Sequence, residues 1–543
     1  MYKRQIYRSA AEGRFNFQFF IDAFSDTLKK EIVKDSVKTG KAWSIYAGEV
    51  LLENIKFNFN DSLGGNLLHL QLQKLAVDVN DINLQTFYFD VKTLQLVNAK
   101  GSFEISKKGT DTSTNTTKTI PLFVSVNKLI LENVDFKFIN KPDNQNMQFA
   151  IGKSQIRNGS FDLPSLTAKV GQFALSHSDV KIAMEISTVS STVMPKPILG
   201  KSGGVAEVSS PFNIDVEIIN LQNNKVTLDL DKNKPKTTGL DFQHLHVSNL
   251  SLKAIKSHYN FQNIKSTIES FTANERSGIA VKHFSTRFTM DTKHAEAQNL
   301  YLQTNRSKIA RYASINFASW DALSKNIGQL KIKADIRNSV IDLRDIIPFA
   351  PELTKIEIIK QNLNTPININ ALIVGELQDI SFDKLAVEMG KNTSMQAHGN
   401  IKGLPTIDKT NFDIVLTHLH TSNHDLSTFL PNTILSAFQL PEDIALSGSF
   451  KGMISDFNAA IDAHTSDGNF NADVAMQGVQ STPHYKGNVV VKSLNIGKIL
   501  KQKPLLGKAT LSADVDGKGF TLETMNVMPV SYTHLTLPTN REV

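Results

Sequence analysis

The chain has 543 residues, of which 41% are hydrophobic and 20% charged, a composition typical of a folded protein and not of a disordered one. It contains no cysteine, which excludes thiol enzymes, cysteine-ligated zinc sites and disulfide scaffolds and fits the bacterial periplasm. The formal net charge is only +7 and no run of five or more basic residues occurs, so nucleic-acid binding has little support. No apolar stretch reaches the roughly 18 residues of a membrane-spanning helix.

The two ends of the chain look foreign to the rest of it. Met1–Gln5 and Val530–Val543 read like translations of the transposon adapter used to prepare sequencing libraries. We therefore set both segments aside as artefacts, although a natural terminal tail is the alternative. On the artefact interpretation, the natural protein extends beyond both ends, and the lack of a membrane anchor here says nothing about it.

Alternation of apolar and polar residues with a period of two dominates the chain and predicts half-buried β-strands. Strands of about five to eight residues follow one another with short breaks, which favours antiparallel hairpins and meanders over βαβ units. The clearest alternating segments, in chain order, are Ile55–Phe59, Leu68–Leu72, Ala76–Val79, Val134–Phe138 and Ile367–Ile369.

Short strings recur along the chain and indicate a repetitive architecture. The string Leu52–Phe59 returns as Leu131–Phe138, and His244–Asn249 returns as His418–Asn423. A looser form, in which an asparagine precedes a new strand, occurs at Asn98 and Asn158. Asparagine tolerates the left-handed backbone conformation, so we expect a strand, a corner and then another strand at these positions.

Glycines recur within strand patterns in the second half of the chain, for example at Gly375, Gly399, Gly448 and Gly517. Such glycines indicate a bulge or a close approach of two backbones, and they allow a long sheet to curl. Polar, low-complexity stretches at Lys107–Thr119 and Met194–Pro211 are expected to be loops within one architecture, with a linker as the alternative.

Two segments interrupt the β pattern. Asp342–Leu353 is predicted to form a short helical turn. Asn423–Leu440 is predicted to be helical as well, with Asn423 or Asp425 as the N-cap, a break at Pro431 and an end at Pro441. Both segments are too short for a helical domain and suit caps on a sheet.

The pattern His-x-His at His418 and His420, with His424 and Asp425 nearby, is the one cluster that suggests a metal site. Because the same string also occurs at His244 and His246, we interpret it as a structural position and predict no metal or other cofactor. The sequence has no nucleophile elbow, phosphate loop ending in Gly-Lys-Ser/Thr or His-Glu-x-x-His motif, so no catalytic residue is assigned and the chain is not predicted to be an enzyme.

Phenylalanine is common, at 32 residues, and its placement is informative. Phe57, Phe59, Phe136 and Phe138 occupy alternate positions, so within each strand both rings project to one face. An ordinary β-sandwich core is one interpretation. The other is an open groove with an apolar lining that shields aliphatic chains, and these four residues are its candidate lining.

The sequence pattern of the chain resembles that of the AsmA-like and TamB (translocation and assembly module) family, in its Bacteroidetes-type members. The likeness runs from about Ile6 to Met528. It is carried by asparagine-rich alternating strands and by strings such as Leu446–Gly452, Tyr485–Val491, Leu494–Gly497 and Leu511–Gly519, together with the opening segment Phe15–Phe24. It supplies no catalytic residue.

This resemblance implies an elongated antiparallel sheet curled into a β-taco groove, with short helical caps. The parent protein would be held in the inner membrane by an N-terminal anchor missing here, and its periplasmic body would bind phospholipid acyl chains. An Omp85-type outer-membrane protein would be a partner of TamB members. The alternative is a structural or adhesive β-repeat protein of the cell surface without a lipid conduit.

Between the adapter-like ends we divide the chain by texture into three parts. Residues 6–341 are predicted to be a repetitive β array, residues 342–445 a β array with short helical insertions, and residues 446–529 glycine-containing β repeats resembling the AsmA-like family.

Overall fold

The computed structural model confirms the all-β prediction, since strands make up 70% of it and helices 7%. It describes residues 3–8, 16, 48–83, 86–107, 121–185, 212–260, 262–319, 327–404, 406–430, 432–479, 482–501, 507–519 and 525–535. By their contacts, the residues form two compact units, Met1–Thr289 and Met290–Val543, which are described in turn.

The first unit is built from long strands. They are β1 (Lys3–Arg8), β2 (Glu49–Asp61), β3 (Asn66–Asn83), β4 (Tyr88–Ile105), β5 (Phe123–Asn140), β6 (Gln145–Asp162), β7 (Thr167–Ser176), β8 (Asp179–Ala183), β9 (Asn213–Asp229), β10 (His244–Asn260), β11 (Asn263–Glu275) and β12 (Ala280–Asp291). All five alternating segments named from the sequence lie in strands, four of them in this unit. Several strands reach 18 residues, longer than expected, because two or three alternating segments join into one strand.

Pairing in the first unit is not purely antiparallel, and here the predicted meander is wrong. β1 pairs parallel with β2, β4 pairs parallel with β5, and β7 and β8 both pair parallel with β9. Parallel neighbours need a connection of a dozen or more residues that returns to the starting end. The two polar stretches predicted as loops join β4 to β5 and β8 to β9. All of the first after Lys107, and the whole of the second, lie outside the described residues.

Left-handed asparagines interrupt the long strands at the predicted corners. Asn54, Asn98, Asn133 and Asn158 have φ angles of 54°, 51°, 54° and 50°. The register passes over them without slipping, because Val97 and Ala99 on β4 face Glu132 and Val134 on β5. Asn98 therefore lies beside Asn133.

Their side chains form a ladder on the exposed surface. The Nδ2 of Asn133 donates to Oδ1 of Asn98 at 3.0 Å, and Nδ2 of Asn98 donates to Oε1 of Gln73 on β3. Apolar positions on either side of the corner are three residues apart, as Leu131 and Val134 are. In an uninterrupted strand this spacing would point them to opposite faces, so we infer that the corner keeps them on one face.

In the second unit every described pairing between consecutive strands is antiparallel, as predicted. The strands are β13 (His294–Thr304), β14 (Lys308–Asn316), β15 (Lys331–Ile341), β16 (Ile367–Glu376), β17 (Asp379–Met389), β18 (Thr393–Lys402), β19 (Asn411–Ser422), β20 (Asp443–Met453), β21 (Phe457–Thr465), β22 (Gly468–Gln477), β23 (His484–Asn495), β24 (Lys508–Lys518) and β25 (Met525–Leu535). The expected close backbone approach is present at Gly399 and Gly448, where a Cβ atom would collide with the carbonyl oxygens of Asp413 and Ala460 on neighbouring strands.

Short helices lie where strands of this unit connect. They are α1 (Leu343–Ile346), α2 (Glu357–Gln361), α3 (Asn423–Ser427), α4 (Asn432–Ala437) and α5 (Ile496–Ile499). Single 3₁₀ turns occur at Ile327–Gln329, Pro351–Lys355 and Ile407–Lys409. None of the described helices has the length and apolar character needed to cross a membrane.

The two predicted helical segments are confirmed, with one correction. The second segment is interrupted as predicted, since one helix ends at Ser427 and the next begins at Asn432, and Pro431 itself lies outside the described residues. Its N-cap is Ser422 and neither Asn423 nor Asp425 as predicted, because the Ser422 hydroxyl accepts a hydrogen bond from the Asp425 backbone N–H at 3.3 Å. The sequence interpretation missed α2 and α5.

The helices α1, α3 and α5 repeat one arrangement. The N-caps are Asp342, Ser422 and Asn495, and the residue three positions later reaches the preceding tight turn. Asp345 accepts hydrogen bonds from Thr304 and Ser307, Asp425 accepts them from the backbone N–H groups of Lys391 and Asn392, and Lys498 pairs with Asp467 at 2.8 Å. Each of these helices is thereby tied to the hairpin before it.

The predicted subdivisions fall at different kinds of position in this fold. The boundary at residues 341 and 342 coincides with the end of β15, whereas the boundary at residues 445 and 446 lies inside β20. The adapter-like residues Lys3–Gln5 belong to β1, and residues 530–535 belong to β25. The subdivision by texture stays a prediction.

The left-handed corners predict a sharp preference at Asn133. A β-branched residue at this φ angle places its Cβ against the backbone, so N133V should lower the free energy of unfolding by about 1–2 kcal/mol relative to N133G. Both variants lose the hydrogen bond to Asn98, and glycine has no Cβ, so N133G is the matched control. Urea unfolding followed by circular dichroism measures the difference. Equal stability of the two variants would contradict the corner.

Candidate functional site

The four predicted phenylalanines lie on two apolar rows that cross eight strands of the first unit. Each row follows the cross-strand register from β2 through β3, β4, β5, β6, β8 and β9 to β10. The first apolar row is Phe59, Leu68, Phe103, Phe138, Met147, Ile182, Leu228 and Leu245, and the second is Phe57, Leu70, Gly101, Phe136, Phe149, Val180, Val226 and Val247. Register partners project to the same face, so all members share one surface.

Every member of both apolar rows is partly exposed. Phe57, Phe59, Phe136 and Phe138 are neither fully buried nor fully exposed. Truly buried positions of the same sheet lie next to the corners instead, such as Leu72 at 3% exposure and Ala99 at 1%. The described part of this unit thus has an apolar face that is not sealed.

The rings on these rows pack along the sheet. Phe103 and Phe138 have ring centroids 6.1 Å apart in a tilted arrangement. Gly101 lies between Leu70 and Phe136, and a Cβ atom there would lie 3.0 Å from the Phe136 ring. The glycine therefore makes room for the aromatic side chain of the next strand.

The opposite face of these strands carries a continuous polar row. Between the two apolar rows runs a polar row with members on the same eight strands. They are Asn58, His69, Ser102, Lys137, Gln148, Lys181, Thr227 and His246. Along these three rows, the sheet thus presents a polar face and an apolar face.

The second unit carries a comparable row, which the sequence interpretation did not identify. It runs through Ala334, Ile373, Phe382, Gly399, Ile414, Phe450, Ala459, Val474, Gly487 and Val515. The Phe450 and Phe457 rings are 4.6 Å apart. Phe382 and Ala459 are buried here, so this row is better covered than the rows of the first unit.

The two copies of the His-x-His string have different structures, so the interpretation as one repeated structural position is wrong. In the first copy, His244 is buried and Asn249 is a left-handed corner with a φ angle of 52°. In the second copy, His418 is exposed and Asn423 begins α3. The contrast arises because the chain continues as a strand after Asn249 but turns into a helix after Ser422.

The second copy forms local polar contacts. His420 pairs through Nε2 with Asp443 at 2.8 Å, and Asp425 lies against the turn between β17 and β18. Burial alone would raise the pKa of Asp425, but hydrogen bonds from the Asn392 N–H and the Thr393 hydroxyl hold that pKa below its ordinary value. Among the described residues, no group of three or more histidine, aspartate or glutamate side chains is arranged to hold a metal ion.

His244 lies between two carboxylates. Its Nδ1 is 3.1 Å from Oδ1 of Asp229, and its Nε2 is 2.9 Å from Oδ1 of Asp231. The hydrogen bond to Asp229 raises the pKa of His244, burial opposes this, and the charges of Asp231 and Asp241 raise it further. The two carboxylates flank opposite nitrogens of the His244 ring. This arrangement favours a protonated histidine and not a metal ion held jointly by the three side chains.

Comparisons with models of protein families, with curated proteins and with solved structures find no match for this chain.

The His244 cluster predicts a specific pH dependence of stability. The pKa of His244 is raised above 6.5 in the folded chain. The contribution of His244 to the free energy of unfolding is therefore complete below pH 6.5 and is lost as the pH rises through the folded-state pKa. We expect H244Q to lower the unfolding temperature more at about pH 5.5 than at about pH 8.5.

Thermal unfolding of wild type and H244Q at both pH values measures this difference. The variant H398Q, at an exposed histidine of β18, is the control for loss of a histidine outside the cluster. A loss of stability that is equal at the two pH values, or larger at the higher one, would contradict the assignment.

Proposed function

We propose that this chain is a periplasmic segment of an AsmA/TamB-like protein that shields lipid acyl chains in an apolar groove. The parent protein would be anchored in the inner membrane and would serve lipid transport to the outer membrane and the biogenesis of that membrane. The observation that carries the proposal is the pair of apolar rows, partly exposed across eight strands of the first unit.

The length of these rows suits an extended hydrocarbon chain. Seven strand-to-strand steps of about 4.8 Å give a track of about 34 Å. An acyl chain lying along it is stabilised by roughly 0.8 kcal/mol for each methylene removed from water. Such binding requires no charged or hydrogen-bonding group at a fixed position, which agrees with the uniformly apolar composition of the rows.

The exposure of the rows favours a groove over a closed sandwich core. A second sheet packed on this face would exclude water from its large side chains, as protein interiors do. Phe57, Phe59, Phe136 and Phe138 all retain exposed surface, whereas Leu72 beside the corner does not. Within the described residues, this apolar face is available to a ligand.

The cellular setting of the proposal rests on composition and on the family resemblance. A chain without cysteine fits an oxidising compartment. The membrane anchor, the direction toward the outer membrane and the Omp85-type partner are implied by the resemblance alone. Inspection of the full-length gene for an N-terminal anchor and a C-terminal TamB-type domain is the direct check on these parts.

Site-specific photocrosslinking tests the lipid-shielding function. A benzoylphenylalanine at Phe136, on the second apolar row, should capture phospholipid when the whole chain is expressed in the periplasm of a bacterial host. The same photocrosslinker at Arg157 is the control, because Arg157 is exposed on β6 between the inward positions Ile156 and Gly159 and faces water. Phospholipid should be recovered at least about tenfold more from the Phe136 position, the ratio expected for a difference of 1.4 kcal/mol.

Capture of neighbouring protein alone at Phe136 would contradict lipid shielding and favour the structural or adhesive alternative. Equal recovery of lipid at the two positions would also contradict it, because it would show surface association without a groove. A second probe at Phe57 lies on the same row three strands away. Lipid capture at both positions would indicate a continuous track, and capture at Phe136 alone a local pocket.

A further inference from the structure

A pocket on the polar face of the first unit has the composition of an anion site. Its volume is about 410 Å³, and it spans β2 to β5. Leu70 and Gly101 are among the residues that line it. The side chains around it are Lys56, Asn58, His69, Gln71, Lys100, Ser102, Asp135 and Lys137. It therefore lies on the reverse side of the second apolar row.

Positive charge dominates the walls of this pocket. Three lysines, Lys56, Lys100 and Lys137, face one carboxylate, that of Asp135. The register places Lys56 and Lys100 on the same row two strands apart, and Lys137 on the neighbouring row. With strands about 4.8 Å apart, the three side chains surround a space about 10 Å wide.

Some lysines of the sheet form ion pairs with a neighbouring carboxylate, and in the part of the chain that the structure describes the three lysines of this pocket do not. Lys92 pairs with Asp78 at 2.9 Å, and Lys402 pairs with Asp379 at 3.1 Å. No ion pair between described residues includes Lys56, Lys100 or Lys137. Three like charges held side by side repel one another, and an anion between them removes that repulsion.

Hydrogen-bonding side chains complete the lining. His69 is held by Asn58, with Nδ1 2.8 Å from Oδ1, while the Gln71 amide and the Ser102 hydroxyl supply further donors. Asp135 is the one acidic group, and Gln148 donates to it at 3.4 Å. Several ammonium groups with neutral donors suit a compact group with several anionic oxygens, and lysine is a common ligand of phosphate.

We propose that this pocket binds a phosphate group, carried by a lipid headgroup or by a free phosphate ester. The site does not depend on the apolar rows, because its side chains project to the other face of the sheet. Its removal should therefore leave acyl-chain capture at Phe136 unchanged.

Two probes distinguish the two sources of phosphate. Titration calorimetry with glycerol 3-phosphate measures the free ester. Co-sedimentation with vesicles of phosphatidylglycerol and phosphatidylcholine, against phosphatidylcholine alone, measures the headgroup. The test variant of the whole chain is K56Q/K100Q/K137Q. The matched control is K253Q/K265Q/K282Q, which removes the same charge from exposed strand positions of the same unit.

The site variant should bind at least one probe about tenfold more weakly than wild type. It loses three exposed lysine–phosphate ion pairs, and each of them contributes modestly to the binding free energy. The control variant should bind as wild type does. Loss restricted to glycerol 3-phosphate assigns a free ester, and loss restricted to the vesicles assigns a lipid headgroup. Equal losses in the two variants would overturn the proposal by showing a general effect of charge. Wild-type protein that binds neither probe would overturn it as well.

Discussion

The architecture of the first unit depends on keeping neighbouring strands in one register across a corner. A slip of a single residue between two strands would turn every apolar side chain of one of them to the water-facing side. The left-handed residues Asn54, Asn98 and Asn133 occupy one level of the sheet, as the pairs on either side of them show. The strands β2, β4 and β5 therefore make their left-handed corner at the same level, and the apolar rows pass from strand to strand without a change of register.

Asparagine suits this level for two reasons. It adopts a positive φ angle at lower cost than other residues with a Cβ. Its side-chain amide also donates and accepts at once, so the Asn133, Asn98 and Gln73 side chains bond to one another outside the backbone ladder. Each such bond contributes about 0.5–1.5 kcal/mol, but only if the neighbouring strand carries a suitable partner at the same level. The ladder thus stabilises one register against the alternatives.

The sequence was most informative where a feature is local. Alternation of apolar and polar residues predicted the strands. The tolerance of asparagine for the left-handed conformation predicted the corners at Asn98 and Asn158, and Pro431 predicted the break in a helical segment. Parallel pairing of β4 with β5 was not predictable, because it depends on which end of the sheet a polar loop returns to. The four-residue α5 is too short for a periodic pattern. The two His-x-His strings match letter by letter over five of six positions, yet the residues after them decide between strand and helix.

Short helices in the second unit owe their stability to tertiary contacts. A helix of four or five residues is too short to persist by itself in water. The helices α1, α3 and α5 have a capping side chain at the start and, three residues later, a polar side chain bound to the preceding turn. The bound residue is Asp345, Asp425 or Lys498, so the contact is kept although the sign of the charge differs. In this unit, position within the repeat matters more than the identity of the residue.

The same separation of position from identity applies to the two faces of the first unit. The apolar rows contain phenylalanine, leucine, isoleucine, valine, methionine and glycine in no fixed order, and the register alone brings them into line. Burial of apolar surface is non-directional and scales with area, so an exchange of one apolar residue for another alters the track little. A charged residue at Phe136 would interrupt it, since the second apolar row has no polar member to solvate the charge. The polar pocket behind Gly101 has the opposite character, because three lysines at fixed positions define it. The strands β2 to β5 therefore have two different faces, one sheet thickness apart. The apolar face is specified by the alternation pattern, and the polar face by individual side chains.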